Sequence, residues 1–379
     1  MKKPYVIFLL FIFIVILSAA TLSACDEKHS HATEIGCTVS EDDREVILTY
    51  SCSCGATASS LTAEFTGRSG ETTALLPDED GIVGCYSLAG EFDIAVKLDG
   101  TVLCETHAVF KPLSYNSAVA GYDYTEGSEI ERITYPSSVA GGDKHANVVL
   151  PPDYDESKRY PVLYLLHGLS CDENAWLDGV YGFSMGAQYI VGNAHYFDGA
   201  PEMIVVCVNS LVNATETEPE WSMLPPSAPP ELAQTYDLTG RDIVECLMPY
   251  INSHYSTLTD KHNTAIAGFS MGGREAMLTA FDYQDVFGSV GAFSSASFGE
   301  NVVSSSTYVP DFTIDEGSDG FDYVQITVGM LDTLLGVSAN ISDRLDEIGV
   351  EHKYNILLGS HDPSVWNYAL QTFVLKIFR

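Results

Sequence analysis

From about residue 160 onward the apolar side chains come in short, nearly unbroken runs. These occupy residues 160–166 (Tyr-Pro-Val-Leu-Tyr-Leu-Leu), 203–208, 264–267, 289–293, 323–328 and 353–358. A strand reads this way when both of its faces are buried, as in a parallel sheet covered by helices. Two more strand-like segments, 131–135 and 145–150, come just before, and residues 242–255 and 337–348 carry apolar side chains at helical spacing. Alternating β and α predicts a mostly parallel sheet with helices on both faces. Its functional loops are expected beyond the carboxyl ends of the strands.

The first third is patterned differently. Residues 45–50, 61–65 and 91–98 are β-prone, the last alternating polar and apolar, and Asp99-Gly100 before 101–105 reads as a hairpin turn. Strands this short and this closely spaced predict a small β-sandwich-like domain over residues 35–110. It has few aromatic residues for a sugar platform, so a spacer is favoured over a carbohydrate binder. Residues 111–127, rich in Ser, Gly, Ala and Tyr, read as a linker to a second domain over 128–379.

The start of the chain is a processing signal and stands outside the fold. Lys2 and Lys3 precede an apolar run over 6–20, which ends in Leu22-Ser23-Ala24-Cys25. That ending resembles the lipobox of bacterial lipoproteins. The resemblance implies a signal peptide over 1–24, cleavage before Cys25, lipid on Cys25, and a tether over 25–34. The mature protein would then be extracytoplasmic, held to the membrane by its lipid.

Composition narrows the choice. The chain has 379 residues, with 18 Lys and Arg against 52 Asp and Glu, for a formal charge of −34. That balance excludes nucleic acid as a partner, because phosphates need basic side chains to neutralise them. Cys37, Cys52, Cys54, Cys85 and Cys104 crowd the first part and suggest one or two disulfides there, of undetermined pairing. Cys52-Ser-Cys54 is too close for metal-finger spacing, so no metal site is expected.

The chemistry centres on Gly268-Phe269-Ser270-Met271-Gly272, which follows an apolar run and precedes helical spacing. This is the G-x-S-x-G nucleophile elbow in its proper strand–turn–helix context. Ser270 is the expected nucleophile, and the Met271 amide an oxyanion donor. The same five letters occur at residues 182–186, but no β-branched run precedes them. Ser184 is expected to be structural, on the first crossover helix.

A serine hydroxyl needs an imidazole to take its proton and a carboxylate to orient that imidazole. After Ser270 the chain has two histidines. His352 precedes the last strand, at the wrong edge of the sheet. His361 follows that strand and is the expected base. Asp332, just past the preceding strand, is the expected acid. The amide of Leu169, after His167-Gly168, is the expected second oxyanion donor.

With these residues placed, the second domain resembles the esterase D-like α/β-hydrolases, in particular the feruloyl and acetylxylan esterases of carbohydrate esterase family 1. The matching pieces are residues 160–168, Asp172-Glu-Asn-Ala-Trp176, residues 267–273, Gly329-Met-Leu-Asp332, and Gly359-Ser-His-Asp362 with Trp366. The resemblance implies an α/β-hydrolase fold and a serine esterase acting on feruloyl or acetyl esters of plant cell-wall polysaccharides or their fragments, with no cofactor. Transfer of the acyl group to a sugar or lipid alcohol, or a non-catalytic carbohydrate-binding lipoprotein, are the alternatives. Trp366, and Trp221 in the Pro-rich stretch 217–230, are the expected substrate-contacting side chains.

Overall fold

The structure is a computed structural model that describes residues 32–41, 44–52, 55–118, 129–152, 154–180, 182–220, 230–299 and 307–379. The described residues form two compact units, one ending at Leu113 and one made of Ser114–Ala118 and the residues from 129 onward.

The first unit is built from seven strands: β1 (Ala32–Ser40), β2 (Glu45–Cys52), β3 (Thr62–Gly67), β4 (Thr72–Leu75), β5 (Ile82–Gly84), β6 (Gly90–Leu98) and β7 (Thr101–Phe110). They form two antiparallel sheets, ordered β1-β2-β5 and β4-β3-β6-β7. Alternate residues point into one shared core: Val46, Leu48 and Tyr50 from β2, Ala63 and Phe65 from β3, and Phe92, Ile94 and Val96 from β6. The β6–β7 hairpin turns at Asp99 (φ 48°) and Gly100 (φ 80°), and positive φ at both central residues matches the right-handed twist of the strands. β1 starts at Ala32, within the stretch read as a tether. The disulfides expected here are not formed among Cys37, Cys85 and Cys104, which are thiols.

In the second unit β8 (Ile130–Ser137) and β9 (Gly142–Val149) lead into β10 (Val162–Leu166), α1 (Ala175–Asp178), α2 (Ala187–Asp198) and β11 (Ile204–Val208). Next come α3 (Pro230–Asp237), α4 (Thr239–Asp242), one π-helical turn (Ile243–Leu247) and α5 (Met248–His254). The chain finishes with β12 (Thr264–Phe269), α6 (Met271–Asp282), β13 (Ser289–Phe293), β14 (Tyr323–Gly329), α7 (Leu335–Glu347), β15 (Lys353–Leu357) and α8 (Pro363–Val374).

Eight strands make one sheet in the order β15-β14-β13-β12-β10-β11-β9-β8. All pairings from β15 to β11 are parallel, and β9 and β8 are antiparallel. Successive residues of β10 serve opposite layers. Val162, Tyr164 and Leu166 share one core with Ile243, Leu247 and Ile341, while Leu163 and Leu165 share the other with Ile190, Val191 and Phe373. Each fully buried side chain of this kind stabilises the fold by roughly 1.5–3 kcal/mol. This is the mostly parallel α/β-hydrolase sheet, and it brings the carboxyl ends of β10, β12, β14 and β15 to one edge.

Residues 114–118, read in the sequence as linker, pack on the second unit. Tyr115 is buried and its hydroxyl donates to Asp198 Oδ2 (2.6 Å), while Asn193 Nδ2 donates to the carbonyls of Tyr115 (3.0 Å) and Ser117 (3.1 Å). No helix among the described residues is long and apolar enough to cross a membrane.

Candidate active site

Between β12 and α6 the chain reverses at Ser270, whose φ of 55° and ψ of −116° lie in a region that costs a non-glycine residue about 1–3 kcal/mol. Neighbouring glycines make the corner sterically possible. A Cβ on Gly268 would stand 2.4 Å from the Gly272 carbonyl, and one on Gly272 would stand 2.3 Å from the Leu166 carbonyl oxygen. The strained residue is pinned on both sides. Its N–H donates to the Phe293 carbonyl (2.8 Å), and its carbonyl accepts from Ala296 N–H (2.9 Å).

From the neighbouring strand ends come an imidazole and a carboxylate. His361 Nε2 lies 2.9 Å from Ser270 Oγ, and His361 Nδ1 lies 3.0 Å from Asp332 Oδ2. A neutral ring that donates from Nδ1 to the carboxylate leaves Nε2 as the acceptor for the serine proton. The His361 side chain is 31% exposed, while that of Asp332 is fully buried. Burial alone would raise the Asp332 carboxyl. The His361 hydrogen bond and charge, with the Leu334 N–H at 2.8 Å, outweigh it and hold the group below its ordinary value.

Asp362, the neighbouring acid, is committed elsewhere. It caps α8, accepting from Ser364 N–H (2.9 Å) and from Ser360 N–H (2.9 Å) and hydroxyl (2.8 Å). Partial burial opposes its charge, but these donors hold it down at about 2. His352 is also engaged elsewhere, with Nε2 2.7 Å from the Ser342 hydroxyl and Nδ1 2.9 Å from the Val350 carbonyl.

The other predicted residues divide. Met271 opens α6, so its N–H belongs to a first turn that has no intrahelical acceptor. Leu169 is partly buried in the loop after β10 and packs with Met271, Leu211, Leu232, Tyr236 and Ala296. That apolar cluster next to the serine escapes sequence reading, because five separate segments supply it.

Two placements correct the sequence reading. Trp366 is fully buried, stacked on Phe269 (centroids 4.4 Å apart, planes 20°) with its edge against His361 (5.0 Å, 82°). It therefore forms a wall behind the imidazole and offers no surface to substrate. Ser184 is not on the crossover helix. Gly182 and Gly186 take φ of 81° and 60°, so α2 begins only at Ala187. Ser184 is exposed in the loop before it, with its carbonyl accepting from Asn116 Nδ2 and Asn367 Nδ2, both at 3.1 Å. Trp221 and Cys25 lie outside the described residues. Among the described residues, no three His, Cys, Asp or Glu side chains converge as metal ligands.

Comparison with known proteins places the chain among esterases. A family described as "Putative esterase" matches residues 137–377. The chain is 26% identical over 257 residues to an endo-1,4-beta-xylanase/feruloyl esterase of Xylanibacter ruminicola, a match covering 66% of this chain and 31% of that protein. It is 29% identical over 169 residues to an esterase of Mycobacterium tuberculosis, covering 42% of this chain and 31% of the relative. The chain thus spans about a third of the length of the curated relatives it matches. Among solved structures, the CE1 ferulic acid esterase AmCE1/Fae1A of the anaerobic fungus Anaeromyces mucronatus is 28% identical with a TM-score of 0.57, covering 70% of this chain and 96% of that one. The same enzyme has been solved in complex with ferulic acid. With nearly all of its second unit matched, the chain belongs to this esterase family.

Proposed function

We propose that the chain is a serine esterase that releases feruloyl groups, and by extension acetyl groups, from plant cell-wall polysaccharides or their fragments. The observation that carries this is the hydrogen-bonded chain from Ser270 through His361 to Asp332, with links of 2.9 and 3.0 Å. The feruloyl preference draws its support from the relatives named above.

In the proposed mechanism Ser270 Oγ attacks the ester carbonyl while His361 Nε2 takes the hydroxyl proton. Asp332 steadies the resulting imidazolium. The amides of Met271 and Leu169 hold the oxyanion. As the tetrahedral species collapses, the bond to the sugar oxygen breaks and His361 gives its proton to that oxygen. Water then attacks the acyl-serine, losing a proton to His361. The carboxylic acid departs, and the serine regains its hydrogen.

The Leu22-Ser-Ala-Cys25 ending supports a lipid-anchored protein outside the cytoplasmic membrane. Turnover of methyl ferulate, acetylated xylan and simple aryl esters tests the substrate assignment. Methyl ferulate is expected to be cleaved at a kcat/KM well above that of an alkyl ester of similar size. Equal rates on all esters would remove the feruloyl assignment, and no turnover on any of them would remove the esterase.

A further inference from the structure

We propose that Glu218 is a positioning residue that fixes the loop carrying the Leu169 amide, an inference that rests on the esterase reading above. The loop runs His167-Gly168-Leu169-Ser170 directly from the end of β10. Ser170 has a φ of 60°, a left-handed conformation costing a non-glycine residue roughly 1–2 kcal/mol. Left to itself, such a residue would relax and swing the Leu169 amide away from the serine.

Glu218 supplies the opposing force. Its Oε1 accepts from the Ser170 N–H at 2.5 Å, and its Oε2 accepts from the Ser170 hydroxyl at 2.9 Å. Hydrogen bonds to a carboxylate are roughly twice as strong as neutral ones. A third donor, the Tyr236 hydroxyl, also reaches Glu218 Oε1. Tyr236 is fully buried on α3, in the apolar cluster that includes Met271 and Leu169. Glu218 therefore joins the β10 loop, the β11 loop and α3 at one point.

The other end of the loop is pinned from inside. His167 is buried, and burial holds its imidazole below the ordinary value, keeping it neutral. Its Nδ1–H donates to the Gly168 carbonyl (2.7 Å), and its Nε2 accepts from Ser210 N–H (2.9 Å). The Leu169 amide lies between these two anchors. The Ser170 N–H, the Ser170 hydroxyl and the Tyr236 hydroxyl are all donors, so they call for an acceptor-only side chain at this position. A glutamine would turn an NH₂ toward one of them.

The test uses the whole chain and p-nitrophenyl acetate, which makes no demand on the natural acyl group. Phenylboronic acid serves as a second probe, because it adds to a serine oxygen and forms a tetrahedral anion like the oxyanion intermediate. Removing one oxyanion donor outright costs about 10²–10³ in kcat. A donor left in place but loosened should cost less, about 10–100-fold. Glu218→Ala is expected to lose that much in kcat, with KM nearly unchanged and boronate affinity weakened by a similar factor. Glu218→Gln should fall between it and the parent.

A residue that merely stabilised the fold would not make boronate affinity track kcat. If Glu218→Ala does not fold, Tyr236→Phe removes one donor while keeping the ring. It should show a smaller loss with the same tracking. Unchanged kcat and boronate affinity in the folded variant, or a loss confined to KM, would overturn the role of Glu218 while leaving the esterase intact. A parent with neither turnover nor boronate binding would instead remove the esterase reading, and Glu218's role with it.

Discussion

Phe269 lies stacked on Trp366 with ring centroids 4.4 Å apart, and Trp366 in turn sets its ring at 82° to His361. One aromatic wall therefore holds both the strand that delivers Ser270 and the loop that delivers His361. Trp176 also packs on Phe269, edge-on (5.2 Å, 78°), and its indole N–H donates to the Leu166 carbonyl (3.0 Å) at the end of β10. Side chains from three strand ends thus gather around a single phenyl ring.

Trp366→Ala should cost roughly 3–5 kcal/mol, the range for truncating a large aromatic in a packed core. Urea denaturation measures it. Trp366→Phe should fold and lose less stability, yet show reduced kcat because the wall behind His361 recedes. A cost below about 1 kcal/mol for the alanine variant, well outside that range, would contradict the buried role.

Asp332→Asn should keep the fold, since the amide fits the same buried space, while lowering kcat by about 10⁴-fold. The cause is tautomeric: an amide NH₂ donating to His361 Nδ1 makes that nitrogen the acceptor and leaves the hydrogen on Nε2, which can then no longer take the serine proton. Steady-state kinetics with a circular dichroism control decides it. A loss of less than roughly tenfold would assign the orienting role to another carboxylate.

Much of this site was legible in the chain because its elements are buried. β13 occupies the predicted residues 289–293, and β10, β11, β12, β14 and β15 deviate by one or two residues at their ends. Strands covered on both faces leave continuous apolar runs, and the residues following those runs are the ones that reach the catalytic edge. What could not be read is what long-range packing decides. An indole beside a histidine motif looks alike in sequence whether it faces substrate or core, and for Trp366 the stack with Phe269 decides. Glu218 is one of three alternating glutamates, with Glu216 and Glu220, in a polar loop where nothing in the sequence singles it out. Tyr115 looks like linker until its contact with Asp198 is seen.

Glu275 gives the fold a pH dependence of its own. It is buried on α6 beside Arg274, which also pairs with Asp237 at 2.7 Å. Burial, reinforced by the Asp237 charge and only partly offset by Arg274, pushes its carboxyl up from the ordinary 4.5 to about 7. Between those values the unfolded chain has released a proton that the folded chain retains, so stability falls as pH rises from about 4.5 to about 7. Glu275→Gln should flatten that decline in denaturation midpoints measured across this window. An unchanged slope would show that Glu275 does not titrate there.

Lipidation is testable apart from catalysis. Cys25→Ala should abolish incorporation of a palmitate analogue and leave the precursor uncleaved. Labelling equal to that of the parent would rule out Cys25 as the lipid anchor.

Two serines share the sequence Gly-Phe-Ser-Met-Gly, yet only Ser270 follows a buried strand and lies within hydrogen-bond reach of a histidine backed by a carboxylate. Ser184 sits in an exposed loop before α2. Losing a triad nucleophile costs about 10⁶-fold in kcat, so Ser270→Ala should fall by that order. Ser184→Ala should stay within a few-fold of the parent. The most direct measurement is fluorophosphonate labelling of the parent, followed by tryptic mapping of the modified peptide. The label is expected on the peptide carrying Ser270, with the one carrying Ser184 unmodified. Label on Ser184, or full activity in Ser270→Ala, would contradict the assignment.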